Sequence, residues 1–199
     1  VAARTDTDTQ TDVRGTILAA AEACFERFGI AKTTMEDVAK AASMSRATVY
    51  RYFADRESLV AESVARRARA NMGPARDYIS RWPTVEERIV EGICQDIRKG
   101  HLDPMVNRLV SPESMALSVQ LLNRSGRAVE LTHELWGPIL AEEQAAGHIR
   151  ADLDLRLLSE WIAELEIMYI SQYGTDDDAL DRVREKLRAF VVPALLPKP

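Results

Sequence analysis

The sequence predicts an all-α protein in which an N-terminal three-helix module precedes a larger helical domain, with about nine helices in total. Three observations carry that expectation. Apolar residues recur at three- and four-residue steps along most of the 199-residue chain, and no segment alternates as a half-buried strand would. Helix caps and stops punctuate the periodic runs, with breaks at Pro83, Gly100 to Pro104, Ser111-Pro112, Gly147 to Asp154 and Gly174 to Asp178. Near the N-terminus a helix, a three-residue break and a second short helix follow one another at the spacing of a helix-turn-helix.

The elements follow in order. Residues 1–12, VAARTDTDTQTD, offer almost nothing to bury and read as a disordered arm. Asp6, Asp8 and Gln10 imitate the start of a calcium loop, but Thr11 and Ile17 stand where Gly and a bidentate Glu are needed. From Asp12, the residues Val13, Ile17, Ala21, Cys24, Phe25 and Phe28 define a first helix that Gly29 stops. Thr33 or Thr34 caps a second, with Glu36 completing a box from Thr33 and Met35, Val38, Ala39 and Ala42 facing inward. Ser43-Met44-Ser45 interrupts it, and Ser45 caps a third helix over Arg46 to Phe53. Asp55 caps a fourth, which carries Leu59, Val60, Val64 and Ala68 to about Pro74 or slightly beyond. Later stripes are Val85, Ile89, Ile93 and Ile97, then Leu155, Leu158, Ile162, Leu165 and Tyr169, then Leu180, Val183, Leu187, Phe190 and Val191.

Composition excludes several classes. A chain with 46% hydrophobic and 29% charged residues can bury a core, so it is neither disordered throughout nor collagen-like. No apolar run approaches the roughly 20 residues that cross a bilayer, and the start lacks a secretory pattern, so a cytoplasmic protein without membrane contact is expected. Cys24 and Cys94 have no metal-ligand spacing and suggest buried thiols. Asp176 to Asp178 suit a helix start rather than a metal.

The net charge of -5 is unevenly distributed. Residues 1–70 hold 11 Lys and Arg against 10 Asp and Glu, whereas residues 71–199 hold 15 against 21. Lys40, Arg46, Arg51, Arg56, Arg66, Arg67 and Arg69 face only three acids in the same interval. A basic head on an acidic body fits a protein that meets nucleic acid at one end. Around the short third helix, Thr34, Ser45, Arg46, Thr48, Tyr50, Arg51, Tyr52 and Arg56 supply hydroxyl, guanidinium and phenol donors suited to phosphate oxygens and base edges.

The stretch Thr33-Thr34-Met35-Glu36-Asp37-Val38-Ala39, with Ser45-Arg46-Ala47-Thr48-Val49-Tyr50-Arg51-Tyr52-Phe53 and Asp55-Arg56-Glu57-Ser58-Leu59 after it, closely resembles the DNA-binding domain of TetR-family transcriptional repressors. The resemblance covers about Ile17 to Leu59. Ser43 replaces the glycine usual in the turn, and Ala47 the small glycine often found early in the recognition helix. It implies a DNA-binding domain over 13–58 and a helical effector-binding and dimerisation domain over 59–199. It implies phosphate contacts from Thr34 and Arg56, backbone anchoring by Ser45, Tyr50 and Tyr52, and groove contact by Arg46, Ala47, Thr48 and Arg51.

The resemblance further implies a homodimer that pairs residues 154–173 and 177–195 with their symmetry mates. Trp161, Ile167 and Met168 already point away from the leucine stripe, which leaves surplus apolar surface for such a partner. Two recognition helices about one DNA turn apart would match a palindromic operator in double-stranded DNA. A small, largely apolar effector would bind among Met72, Arg76, Cys94, Arg98, Met105, Met115, His133, Trp136 and Trp161 and shift the population toward a head spacing that no longer fits DNA. The alternatives are a ligand-independent DNA-binding protein and an all-helical enzyme. For the enzyme the sequence supplies little: His101, His133 and His148 are isolated, no phosphate loop or Gly-x-Ser-x-Gly elbow occurs, and an acid or base would have to hide among Glu130, Glu134, Glu164 and Glu166. No cofactor, catalytic residue or metal ligand is expected.

Overall fold

Periodic apolar residues and their caps build a succession of helices in the computed structural model, which describes residues 6–109, 111, 114 and 126–197. No strand occurs among the described residues. The chain divides into two units, Val1–Arg67 and Ala68–Pro199.

The first unit contains α1 (Asp6–Phe28), α2 (Met35–Ala41), α3 (Arg46–Tyr52) and the beginning of α4 (Arg56–Ile79). Helix α1 starts at Asp6, so residues 6–11 are helical where the sequence suggested a disordered arm. Residues 1–5 of that arm lie outside the described residues. Gly29 ends α1 with φ 84°. Ile17, Ala21, Phe25, Val38, Val49, Phe53, Leu59 and Val60 form a closed core, each at most 2% exposed.

The cap of α2 differs from the expected Thr33–Glu36 box. Thr34 and Asp37 form it instead: Thr34 N–H donates to Asp37 Oδ2 at 3.0 Å and Asp37 N–H donates to Thr34 Oγ1 at 3.2 Å. Thr33 is unavailable because it is buried and its hydroxyl donates to the Gly29 carbonyl at 2.8 Å. Glu36 is thereby left to pair with Lys40 at 3.0 Å. Asp55 caps α4 as expected, accepting from Ser58 N–H at 2.7 Å. That helix passes Pro74 and ends at Ile79.

The second unit is built around α5 (Val85–Leu102), whose Ile89, Ile93 and Ile97 are at most 1% exposed. It packs against α6 (Pro104–Leu109), α8 (Leu155–Gln172), α9 (Asp177–Lys186) and α10 (Val192–Leu195), while α7 (Arg127–Ala145) pairs with α8. Gly100 does not break α5 as the sequence suggested. A Cβ there would stand 2.5 Å from Ile170 Cδ1, so this glycine serves close helix packing rather than a turn. Asp103, Asp154 and Asp176 cap α6, α8 and α9 through their carboxylates, which gives the acidic run 176–178 its place at a helix start.

Between α9 and α10 the chain takes a π-helical turn, Leu187–Val191, in which Val192 N–H donates to Leu187 O. The wider register relieves the α-helical clash that Pro193 would otherwise make one turn back. It also separates Phe190 from its expected stripe: Leu180, Val183, Leu187 and Val191 are buried, whereas Phe190 is 74% exposed. No helix among the described residues is long and apolar enough to cross a membrane.

Candidate nucleic-acid interface

The turn between α2 and α3 is a Schellman motif. Met44 N–H donates to Ala39 O at 2.9 Å and Ser43 N–H to Lys40 O at 3.1 Å, which places Ser43 at the left-handed position with φ 54°. Ser43 is the one non-glycine residue with positive φ among those described. The departure from glycine noted in the sequence therefore falls where glycine would relieve strain.

Ser45 then caps α3. Its Oγ accepts from Thr48 N–H at 3.0 Å and lies 2.9 Å from Thr48 Oγ1. Inward, Val49 at 0% and Phe53 at 2% exposure lock the helix to the core. Outward, Ser45, Arg46, Ala47, Tyr50 and Arg51 are exposed, and Thr48 and Tyr52 are half-buried. The seven groove and backbone candidates of α3 and its cap therefore lie on one short helix whose other side is anchored.

The two arginines of α3 are poised rather than consumed. The Arg46 guanidinium lies 5.7 Å from the Tyr50 ring centre and 4.0 Å from Glu36, and that of Arg51 lies 5.3 Å from the Tyr52 ring. Such exposed contacts are weak enough to be exchanged for a phosphate or a guanine edge. Arg56 is held differently: its Nη1 donates to Ala31 O at 2.9 Å and its Nη2 to Glu57 at 3.2 Å, so it ties the start of α4 to the loop after α1. The exposed Thr34 stands at the N-terminus of α2 with its hydroxyl donating to Asp37 at 2.6 Å. Those hydrogen bonds hold the Asp37 carboxyl below its usual range.

One residue missing from the sequence reading supports this arrangement. Arg14 of α1 donates to Tyr52 O at 3.2 Å, stacks 4.5 Å above the Phe53 ring and reaches Glu62 at 3.6 Å. A lone arginine on a first helix carries no sequence signal for this role, since its partners lie 38 or more positions away. The local basic excess is also smaller in space than in sequence. Arg66 chelates Glu22 through two hydrogen bonds of 3.0 Å, and Arg67 pairs with Glu22 and Glu26. Lys40 meets Glu36 as well, so within that interval the exposed α3 arginines are the most loosely held cations.

The residues expected to bind effector are dispersed through the second unit. Met72, Cys94, Met105 and Trp136 are buried. Burial raises the Cys94 thiol to about 11. Arg76 donates to the Glu134 carbonyl at 2.6 Å, and Arg98 lies 3.8 Å from Asp177. His133 packs beneath Gly137 and lies 2.9 Å from Ser159 Oγ, whose own proton goes to Leu155 O. Its Nδ1–H is therefore the donor in that bond. Trp161 lines an open groove of about 430 Å³ with Leu153, Leu157, Leu158, Ala194 and Leu195, to which none of the other described candidates contributes. Met115 lies outside the described residues. Of the four acids held in reserve, Glu134 is clamped by Arg69 at 2.6 and 2.8 Å, which lowers its carboxyl, while Glu130 meets Arg127 and Glu164 is exposed. Glu166 alone turns toward the interior, where burial and nearby Asp96 raise its carboxyl well above the usual range.

A three-helix unit with an anchored inner face and a donor-rich second helix of its helix-turn-helix, followed by a larger helical unit, defines the class of helix-turn-helix regulators. Residues 17–63 match the model of the bacterial regulatory proteins of the tetR family. Over that segment the chain is similar to the N-terminal domain of the TetR-family transcription regulators. The TetR-family repressor AlkX from Dietzia sp. strain DQ12-45-1b, implicated in biodegradation of n-alkanes, is similar with 28% identity over 90% of this chain and 93% of that one, at a TM-score of 0.64. A TetR-family regulator from Pectobacterium atrosepticum shares the fold at 22% identity, covering 98% and 100% of the two chains, TM-score 0.69. So does FadR from Bacillus subtilis, solved with stearoyl-CoA, at 16% identity over 90% and 97%, TM-score 0.57. No curated protein sequence matches significantly.

Proposed function

We propose that this chain is a homodimeric repressor that holds a palindromic operator through α3 and leaves it when a small, largely apolar effector binds the helical domain over 59–199. The outward face of α3 carries the DNA half of this reading. Arg46 and Arg51 stand exposed on it with Ala47 and Thr48 beside them, and either arginine can grip a guanine at O6 and N7. Thr34, Ser45, Tyr50 and Tyr52 surround them as phosphate donors, and Arg56, held by Ala31 and Glu57, has N–H groups left over for a phosphate. The acidic body opposes sequence-independent coating of DNA.

Dimerisation is supported by apolar surface left uncovered on the last helices. Leu157, which lines the groove with Trp161 and Leu195, is 65% exposed, and Phe190 of the π turn is 74% exposed. The apolar effector is supported by the buried Met72, Met105 and Trp136, and by structural relatives associated with n-alkanes or solved with stearoyl-CoA. The reading is tested by selecting genomic fragments with the purified protein at two salt concentrations, which separates specific from electrostatic binding. A shared palindrome is expected. Arg46→Ala should weaken binding to it roughly 10- to 100-fold with dimerisation intact; an unaltered gel-shift midpoint would refute the role given to Arg46.

A further inference from the structure

The interior of the second unit holds two acids that no basic side chain neutralises. Asp96 on α5 and Glu166 on α8 influence each other's titration, and one turn further along the same two helices Gly100 meets Ile170 in close contact. Asp96 Oδ2 and Glu166 Oε1 are both buried without a hydrogen-bond partner. Trp136 of α7, 0% exposed, directs its indole Nε1 toward the same place: it draws down the titration of both carboxyls yet makes a well-formed hydrogen bond with neither. Gly92 makes room for that ring, because a Cβ there would fall 2.4 Å from Trp136 Cη2. Three polar groups from three helices are thus held around one interior point.

Leaving them unpaired is costly, because a buried polar group or charge without a partner forfeits its hydration. The nearby cations are engaged elsewhere: Arg184 and Arg188 face Glu91, and Arg98 faces Asp177. Two carboxylates and an indole fall short of a metal site, since an indole N–H donates and cannot ligate; no group of three metal-binding side chains occurs among the described residues. An organic cation answers all three groups. Its N–H or polarised C–H bonds meet the carboxylates, and an indole face attracts positive charge.

We propose that Asp96, Glu166 and Trp136 form the polar anchor of the effector site and select a ligand with a cationic nitrogen head, an alkylammonium or related organic amine, on an apolar body. This rests on the reading of the second unit as an effector domain and gives that effector its class. Burial keeps protons on both carboxyls in the empty site, so a cationic head binds as the pair gives up a proton, whereas an anionic head forces both to stay protonated and a neutral one gains no charge partner.

The test uses the full chain and four n-alkyl series of six to ten carbons bearing ammonium, trimethylammonium, hydroxyl or carboxylate heads, with binding followed by calorimetry and operator release by gel shift. The ammonium compounds should bind about tenfold or more tightly than alcohols of equal length, with carboxylates weakest. In D96N/E166Q, checked for folding by circular dichroism, the ammonium preference should shrink to under about threefold. Absence of head-group preference in the unmodified protein at every chain length overturns the proposal, as does a preference that survives in the double variant. A neutral or anionic compound that binds and releases operator as well as the amines do overturns this anchor while leaving the effector reading in place. An amine that binds through the pair yet leaves the DNA complex intact supports the anchor and refutes ligand-driven release.

Discussion

Ser43 shows how one side chain can be strained without being misplaced. The two hydrogen bonds that close the Schellman turn require a left-handed residue there, and serine meets the requirement at φ 54° with a Cβ that glycine lacks. Ser43→Gly should therefore raise stability by about 1 kcal/mol. The urea midpoint of the variant checks this, and operator affinity should stay within about twofold because Ser43 lies outside the donor set of α3. Arg46 and Arg56 illustrate the complementary lesson. Both are basic residues beside a helix start, but Arg46 makes only loose surface contacts, whereas Arg56 is bound to a carbonyl 25 positions away. Equal sequence chemistry leads to different duties once the partners are known.

At the scale of elements, α5 organises the second unit because its glycines admit large neighbours. Gly92 receives the Trp136 ring and Gly100 receives Ile170, so α7 and α8 approach more closely than side chains on α5 would allow. Gly92→Ala should displace Trp136, since the added methyl would overlap both the ring and Ile79 Cγ1 at 3.0 Å. A loss of about 1 to 3 kcal/mol is expected, accompanied by a shift in tryptophan emission. An alanine variant as stable as the parent would show that α7 can slide without cost. The π turn after α9 acts on a second element. By widening the helix before Pro193 it keeps Leu187 and Val191 buried and turns Phe190 outward, beside the surface proposed to meet a second copy.

For the whole molecule, two predictions follow from surfaces and charges that no single helix explains. If the last helices join two copies, Leu157→Asp combined with Phe190→Asp should convert a dimer to a monomer in light scattering; buried apolar contacts of this kind are worth about 1.5 to 3 kcal/mol per side chain. A doubly substituted protein that remains dimeric would refute the proposed interface. The second concerns pH. Burial raises the Asp96 carboxyl from 3.8 to about 7, and Glu166 is raised as well, first by burial and then by Asp96. Among the charged groups on the helices packed around the pair, Glu91 meets Arg184 and Arg188, and Arg98 meets Asp177. In the unfolded chain Asp96 gives up its proton near pH 4; in the folded chain it retains the proton to about pH 7. The native state therefore binds more protons across that interval. The contribution of this group to stability is fully present below pH 4 and is lost as the pH climbs through about 7, with a slope of at most about 1.4 kcal/mol per pH unit for one proton. The urea midpoint at pH 8 should accordingly fall below that at pH 5.5 by more in the parent than in D96N/E166Q. Equal pH dependence in the two proteins would show that the acids are solvated.

Much of the architecture was legible in the residues because local rules suffice for it. Three-four periodicity, the caps Ser45 and Asp55, and the stop at Gly29 depend on neighbours within a turn or so, and the structure places helices accordingly. The composition of α3 was legible for the same reason, and its outward face follows from the burial of Val49 and Phe53. Local rules misjudged Thr33, which a carbonyl four residues back and the core claim before it can cap, and Gly100, which is a packing site on a continuing helix. Distant partners lay beyond such rules altogether. Arg14 supporting α3 from α1, the neutralisation of Arg66 and Arg67 by α1 acids, and the meeting of Asp96, Glu166 and Trp136 depend on which helices pack together. Sequence by itself determined where helices start, end and turn their apolar faces, since those are short-range matters of backbone hydrogen bonding and side-chain period. Tertiary structure alone decided which charges are paired and which are stranded in the interior, because electrostatic energy depends on distance and burial in space rather than on separation along the chain.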